Sequence, residues 1–182
     1  MRAIASDWLL CALAERNAAA AKEALKAGGE TPFNDLPTNR LFVEGLIARM
    51  TKNDQEARAA FTAARVEQEK IVQAQPNYGP ALCVLGLIDA GLGRKAEALR
   101  EGRRAIELAS AKKDAVSSPL MIQYLALIAA WAGDKDLACE QLLIAVRPPS
   151  ILSYGELKLL PWWDPLRGDP RFEKIVASLA PK

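Results

Sequence analysis

The feature that most constrains this chain is an internal repeat with a period of about 40 residues. Three segments carry small or apolar residues at one shared set of spacings, and a fourth, weaker copy begins at Leu9. Such a period indicates supersecondary units that bury their apolar faces only by stacking on one another. The matching positions are Gly45, Ala57, Phe61 and Ala64; Gly86, Ala98, Gly102 and Ala105; and Ala126, Ala138, Leu142 and Ala145.

Each repeat unit has the signals of a helical hairpin. Apolar residues recur at helical spacing, and the small residues allow two antiparallel helices to approach closely. Gly93 and Gly133 stand where a helix needs a left-handed end, and Pro80 and Pro119 stand in the first turn of a helix. The pattern predicts hairpins near residues 3–28, 38–75, 79–112 and 118–146, within a repeat region that covers residues 1–147.

The segment 148–182 interrupts the repeat and contains the stretch "PWWDPLRGDPRFEKI". Asp164-Pro165 and Asp169-Pro170 both fit a helix start, with Asp as the N-cap and Pro at the first helical position. The helix after Asp169 carries an apolar stripe suited to docking. We therefore predict that residues 148–182 cap the stack within the same domain. Trp162 and Trp163 fit either an anchor of this cap or a ligand-stacking platform, and the anchor is favoured.

The repeat resembles the tetratricopeptide (TPR) repeat, most clearly at Gly86, Ala98 and Ala105, although a standard period is near 34 residues. The ending resembles the closing segment of C-terminal TPR regions in bacterial multidomain signalling proteins, including serine/threonine kinases. The resemblance covers nearly the whole chain. It implies an all-α fold, a right-handed superhelix of about four TPR-like hairpins with a C-terminal cap of short helices. It also implies a non-catalytic protein–protein interaction scaffold, since no kinase signature is present.

The same resemblance implies that the first helices of the hairpins line a concave groove for a protein or peptide partner. The alternative is a sensor module that binds a peptide or small molecule there. Chaperone tails are not expected, because the positions of the Lys and Asn clamp hold mainly apolar residues. It also stays open whether the lining residues form an open groove or pack on each other. They are Asn39, Phe42, Leu46, Arg49, Met50, Cys83, Leu87, Ala90, Gln123, Leu127 and Trp131.

Composition argues against several kinds of chemistry. The chain has no histidine, and its three cysteines follow no metal-ligand spacing. We therefore expect no enzyme, no metal and no cofactor. An odd number of cysteines among apolar neighbours is typical of buried thiols in a reducing, cytoplasmic setting.

Charge and hydropathy restrict the partners further. The net charge of +2 is ordinary for a soluble protein, and no apolar run approaches the length of a membrane span. The basic residues between Gly93 and Lys113 alternate with glutamates, including Glu101, which favours a solvated outer face over a nucleic-acid surface. We expect neither nucleic acid nor membrane as a partner. An open-ended stack would expose its first hairpin, so self-association through the N-terminal hairpin is a further expectation.

Overall fold

A computed structural model describes residues 2–28, 36–111, 117–147, 150 and 152–181. Within these residues the protein is helical and has no strand, so the all-α prediction is confirmed. The helices are α1 (Arg2–Ala14), α2 (Ala18–Lys26), α3 (Arg40–Met50), α4 (Asp54–Ala74), α5 (Gly79–Gly91), α6 (Lys95–Ala111), α7 (Ser117–Ala132), α8 (Lys135–Ala145), α9 (Tyr154–Leu159), a 3₁₀ helix (Pro161–Leu166) and α10 (Pro170–Ser178).

The helices pack mainly on their neighbours in the chain. Each of α1 to α7 packs against the next helix, and α5 also contacts α7. One continuous cluster of buried apolar residues extends from Leu9 in α1 to Val176 in α10. The predicted boundaries at residues 1, 112, 148 and 182 lie outside the described residues.

The small residues of the repeat lie where paired helices come closest. A Cβ atom at Gly45 would lie 2.5 Å from the ring of Phe61, and one at Gly86 would lie 2.8 Å from Ile128. Ala98 and Ala105 are fully buried. A larger residue at these points would force the helices apart, so the predicted reason for the small residues is confirmed.

The helix ends also follow the sequence signals. Gly93 and Gly133 have φ values of +80° and +81°, in the left-handed region that favours glycine. Pro80 and Pro119 lie in the first turns of α5 and α7, as predicted. Helix α4 continues to Ala74, which accounts for part of the long repeat period.

The C-terminal segment packs on the preceding helices through α9, the 3₁₀ helix and α10. The side chain of Asp169 accepts a hydrogen bond from the backbone N–H of Arg171 and caps α10, as predicted. The prediction that Asp164 also caps a helix is wrong, because the 3₁₀ helix already begins at Pro161 and Asp164 lies inside it. Both tryptophans are buried, and Trp163 is stacked on Phe172 with ring centroids 6.3 Å apart. This burial supports the role of cap anchor.

Candidate functional site

Most of the predicted lining residues lie inside the protein. Phe42, Cys83, Leu87 and Leu127 have at most 1 % of their surface exposed and belong to the common core. Leu46, Ala90, Gln123 and Trp131 are also buried. Only Asn39, Arg49 and Met50 are half-buried.

Two of the predicted polar residues hold helices in place. The side chain of Asn39 accepts a hydrogen bond from the backbone N–H of Phe42, at 2.9 Å, and caps α3. The amide Nε2 of Gln123 donates to Glu156 Oε1 at 3.2 Å and connects α7 to α9. Both amides therefore form hydrogen bonds that stabilise the packing of helices in this structure.

Four of the predicted residues, Leu46, Arg49, Met50 and Trp131, come together at a cavity between α3, the start of α4, α7 and the 3₁₀ helix. We call it the Trp131 cavity; it has a volume of about 400 Å³. That volume lies within the range of small-molecule and side-chain binding pockets. The cavity is lined by Leu46, Arg49, Met50, Lys52, Asp54, Trp131, Pro161, Trp162, Asp164 and Pro165.

Arg49 and Trp131 form the centre of this cavity. The guanidinium carbon of Arg49 lies 4.3 Å from the centroid of the Trp131 ring, a cation–π contact. Burial lowers the pKa of Arg49, although the charges of Asp164 and Asp54 oppose the shift. The indole Nε1 of Trp131 donates to the carbonyl oxygen of Trp162 at 2.9 Å. The cap thereby fixes the ring on which Arg49 rests.

The cap side of the cavity is held by ion pairs of Asp164. Its two carboxylate oxygens accept hydrogen bonds from Arg16 at 2.5 and 2.7 Å, and Arg167 Nε donates to one of them at 2.7 Å. Burial alone would favour the protonated carboxyl, but these hydrogen bonds lower the pKa of Asp164 below its ordinary value. The 3₁₀ helix is thus connected to the turn between α1 and α2.

The sequence did not predict that the cap contributes residues to the wall of the cavity. Lys52, Asp54, Pro161, Trp162, Asp164 and Pro165 were not among the predicted lining residues, and four of them come from the stretch "PWWDP". That stretch was recognisable as a cap. Its position against α3 and α7 depends on contacts between residues far apart in the chain, which local patterns do not encode.

A second cluster of polar groups lies between α4, α5 and α6. Asp89 is fully buried, and its Oδ1 accepts a hydrogen bond from Arg65 Nε at 2.6 Å. Glu101 is 8 % exposed and lies beside Asp89. Burial raises the pKa of Glu101 to about 7, and the charge of Asp89 adds to the shift. Glu101 therefore points inward, and its assignment to a solvated outer face is wrong.

The two neighbouring carboxyl groups of this cluster favour a proton on one of them. No described group donates to Asp89 Oδ2 or Glu101 Oε2. Two carboxylates are acceptors only, so the pair can form a hydrogen bond only when one of them is protonated. The raised pKa of Glu101 favours this residue as the protonated one.

The part of the chain that the structure describes contains neither a metal-binding cluster nor a helix that could cross a membrane. No group of three or more Cys, Asp or Glu side chains there is placed to hold a metal ion. None of the helices described has the length and apolar character needed to cross a membrane. All three cysteines are free; Cys83 and Cys139 are buried as expected, whereas Cys11 is exposed.

Comparisons with known proteins add no family assignment. No protein-family model, curated protein or solved structure matches this chain.

Proposed function

We propose that the protein is a non-catalytic interaction scaffold that binds a segment of a partner protein at the Trp131 cavity. The observation that carries this proposal is the cavity itself, where Arg49 and Trp131 meet a surface completed by the cap. The resemblance to the TPR regions of bacterial signalling proteins supports the same class of function, and a place in such a protein is part of the proposal. The free state of all three cysteines supports a cytoplasmic setting.

A second candidate is a sensor that binds a small molecule or peptide in the same place. It is favoured by the cavity volume of about 400 Å³ and by the presence of Trp131 in the wall. A scaffold that binds its partner only through an extended surface would not need such a concave site.

An enzyme receives little support from the carboxyl pair. Asp89 is fully buried and bound to Arg65, so it offers no oxygen to a substrate. We assign the pair a role in the packing of α5 against α6.

Site-specific photo-crosslinking in cells that produce the protein tests the scaffold proposal. We would place p-benzoylphenylalanine at Asp54, an exposed residue of the cavity lining, and in a matched variant at the exposed Arg103 of α6. We expect a discrete protein adduct at position 54 and none at position 103. The adduct should disappear when the larger side chain of Met50→Trp narrows the cavity, with circular dichroism confirming the fold. Equal adducts at both positions, or none at position 54, would contradict the proposal.

Self-association through the N-terminal hairpin stays a prediction. Ile4 and Trp8 lie on one face of α1 and are 73 % and 44 % exposed. If this face joins two copies, sedimentation velocity should show a concentration-dependent dimer that Trp8→Glu abolishes. A monomer at every concentration would exclude this interface.

A further inference from the structure

Arg49 has hydrogen-bonding capacity that the protein leaves unused. Within the described residues its side chain forms no hydrogen bond and no ion pair, and its one specific contact is with the Trp131 ring. A guanidinium carries its five N–H donors in its own plane, so contact through its central carbon with a ring consumes none of them. The nitrogens of Arg49 are not fully buried, so these donors reach the solvent in the cavity and are available to an acceptor.

The charges around Arg49 leave the cavity with an excess of positive charge. Lys52 also lines the cavity and forms no ion pair among the described residues. Of the two acids in the lining, Asp164 has both oxygens bound by Arg16 and Arg167. The other acid, Asp54, lies in the first turn of α4, where a negative charge is stabilised by the helix dipole. Asp164 with its two arginines has one excess positive charge, and Arg49 and Lys52 with Asp54 have another, so the cavity favours a bound anion.

The other walls of the cavity are apolar. Leu46, Met50 and Trp131 lie on the helix side, and Pro161 and Pro165 lie on the cap side. An apolar surface of this kind favours a hydrocarbon or aromatic group over a polar one.

We propose that the Trp131 cavity binds a carboxylate carried on an apolar body, with Arg49 and Lys52 holding the carboxylate and the apolar walls holding the body. This inference rests on the proposed function and names the chemistry of its ligand. The carrier is either the C-terminal residue of a partner's peptide segment or a free organic acid, since both present the same groups.

The donor geometry of the site fits a carboxylate. Arg49 is the half-buried cation of the lining, while Lys52 is exposed. A planar carboxylate matches the paired N–H donors of one guanidinium.

Titration calorimetry and tryptophan fluorescence on the full chain test the inference. The peptide probe is an acetylated pentapeptide ending in phenylalanine, as the free acid and as the C-terminal amide. The small-molecule probe is 4-phenylbutanoate, beside 4-phenylbutanamide. We expect at least one acid to bind at least about tenfold more tightly than its amide, which corresponds to about 1.4 kcal/mol. Binding should change the fluorescence, because Trp131 lies in the wall.

Two variants identify the group responsible. Arg49→Gln removes the charge and should abolish the preference for the acid, and Lys52→Gln should weaken it less. Arg103→Gln removes an equally charged but exposed residue of α6 and should leave binding unchanged. Chemical denaturation of each variant shows that the fold is retained.

The outcomes separate this inference from the proposed function. A preference for the peptide acid indicates a partner's C-terminus, and a preference for the small acid indicates a free ligand. Equal binding of acid and amide, or a preference that survives Arg49→Gln, would overturn carboxylate recognition while leaving a binding module in place. If no probe binds at millimolar concentration, the inference fails, and the crosslinking experiment decides the scaffold separately.

Discussion

Arg16 and Asp164 are 148 residues apart in sequence, yet the guanidinium of Arg16 binds both carboxylate oxygens of Asp164. The pair connects the first hairpin with the C-terminal cap. Arg16 has a positive φ of 59°, a conformation that non-glycine residues adopt uncommonly. The turn between α1 and α2 thus places the guanidinium at the cap with an unusual backbone conformation.

A double-mutant cycle on Arg16→Ala and Asp164→Ala measures this connection. The two side chains are 38 % and 43 % exposed, so solvent screens the pair, although its two-point geometry is favourable. We expect a coupling free energy of about 0.5–1 kcal/mol from urea unfolding. Arg40→Ala with Glu44→Ala, an exposed pair within α3, provides the local comparison. A coupling of zero would show that the pair does not hold the cap in solution.

Replacement of Gly45 by alanine tests the close packing of α3 and α4. The new methyl group would lie 2.5 Å from the Phe61 ring, which is fully buried, with the rings of Phe42 and Trp131 centred 6.0 and 6.1 Å away. We expect Gly45→Ala to lower the free energy of unfolding by about 1–3 kcal/mol. Gly155→Ala is the matched control, because no atom lies within 4 Å of its Cβ position in α9. It should be neutral or stabilising by up to about 1 kcal/mol. Equal effects of the two changes would contradict the close approach.

The anchor role of Trp163 predicts a large loss on truncation of its side chain. Trp163 is fully buried and stacked on Phe172 of α10, so its removal leaves a cavity beneath the cap. We expect Trp163→Ala to cost about 3–5 kcal/mol in thermal or chemical unfolding. Val66→Ala removes an apolar side chain of α4 that is 52 % exposed, and we expect a change within about 0.5 kcal/mol. Similar losses for the two changes would contradict an anchoring role of Trp163.

The sequence correctly predicted helix ends and caps, because these depend only on residues close together in the chain. Gly93, Pro80 and Asp169 act within one or two helical turns, and each has the structural role that its residue type indicated. Asp164 appeared equivalent to Asp169, since both precede proline. The structure distinguishes them because the helix containing Asp164 begins three residues earlier and its carboxylate binds the distant Arg16.

For the candidate site, too, the sequence predicted only what does not depend on contacts between distant parts of the chain. Arg49 and Trp131 were both expected to line the groove, and the structure brings them into contact. Phe42 and Leu127 were expected to line the same groove but are packed in the core. Their burial depends on how neighbouring hairpins and the cap pack, and no spacing within one hairpin specifies this.

The neighbouring buried carboxyl groups of Asp89 and Glu101 predict a stability that falls as pH rises towards neutrality. Burial raises the pKa of Glu101 from 4.5 to about 7, so between these values the folded protein holds a proton that the unfolded chain has lost. Unfolding then releases this proton, and the free energy of unfolding decreases with pH until about pH 7, above which this contribution is absent. We expect this group to account for a loss of roughly 2–3 kcal/mol between about pH 5 and pH 8.

Urea unfolding of the wild type and of Glu101→Gln across this pH range measures that contribution. The amide of glutamine replaces the protonated carboxyl and keeps a donor for Asp89, so this variant should have a flatter pH profile and exceed the wild type in stability near pH 8. Glu107→Gln removes an exposed carboxylate of the same helix and should retain the wild-type slope. Infrared absorption of a protonated carboxyl near pH 6, absent from Glu101→Gln, would locate the proton directly. Parallel pH profiles for the wild type and Glu101→Gln would show instead that the pair carries no proton and that Arg65 and Arg94 compensate Asp89.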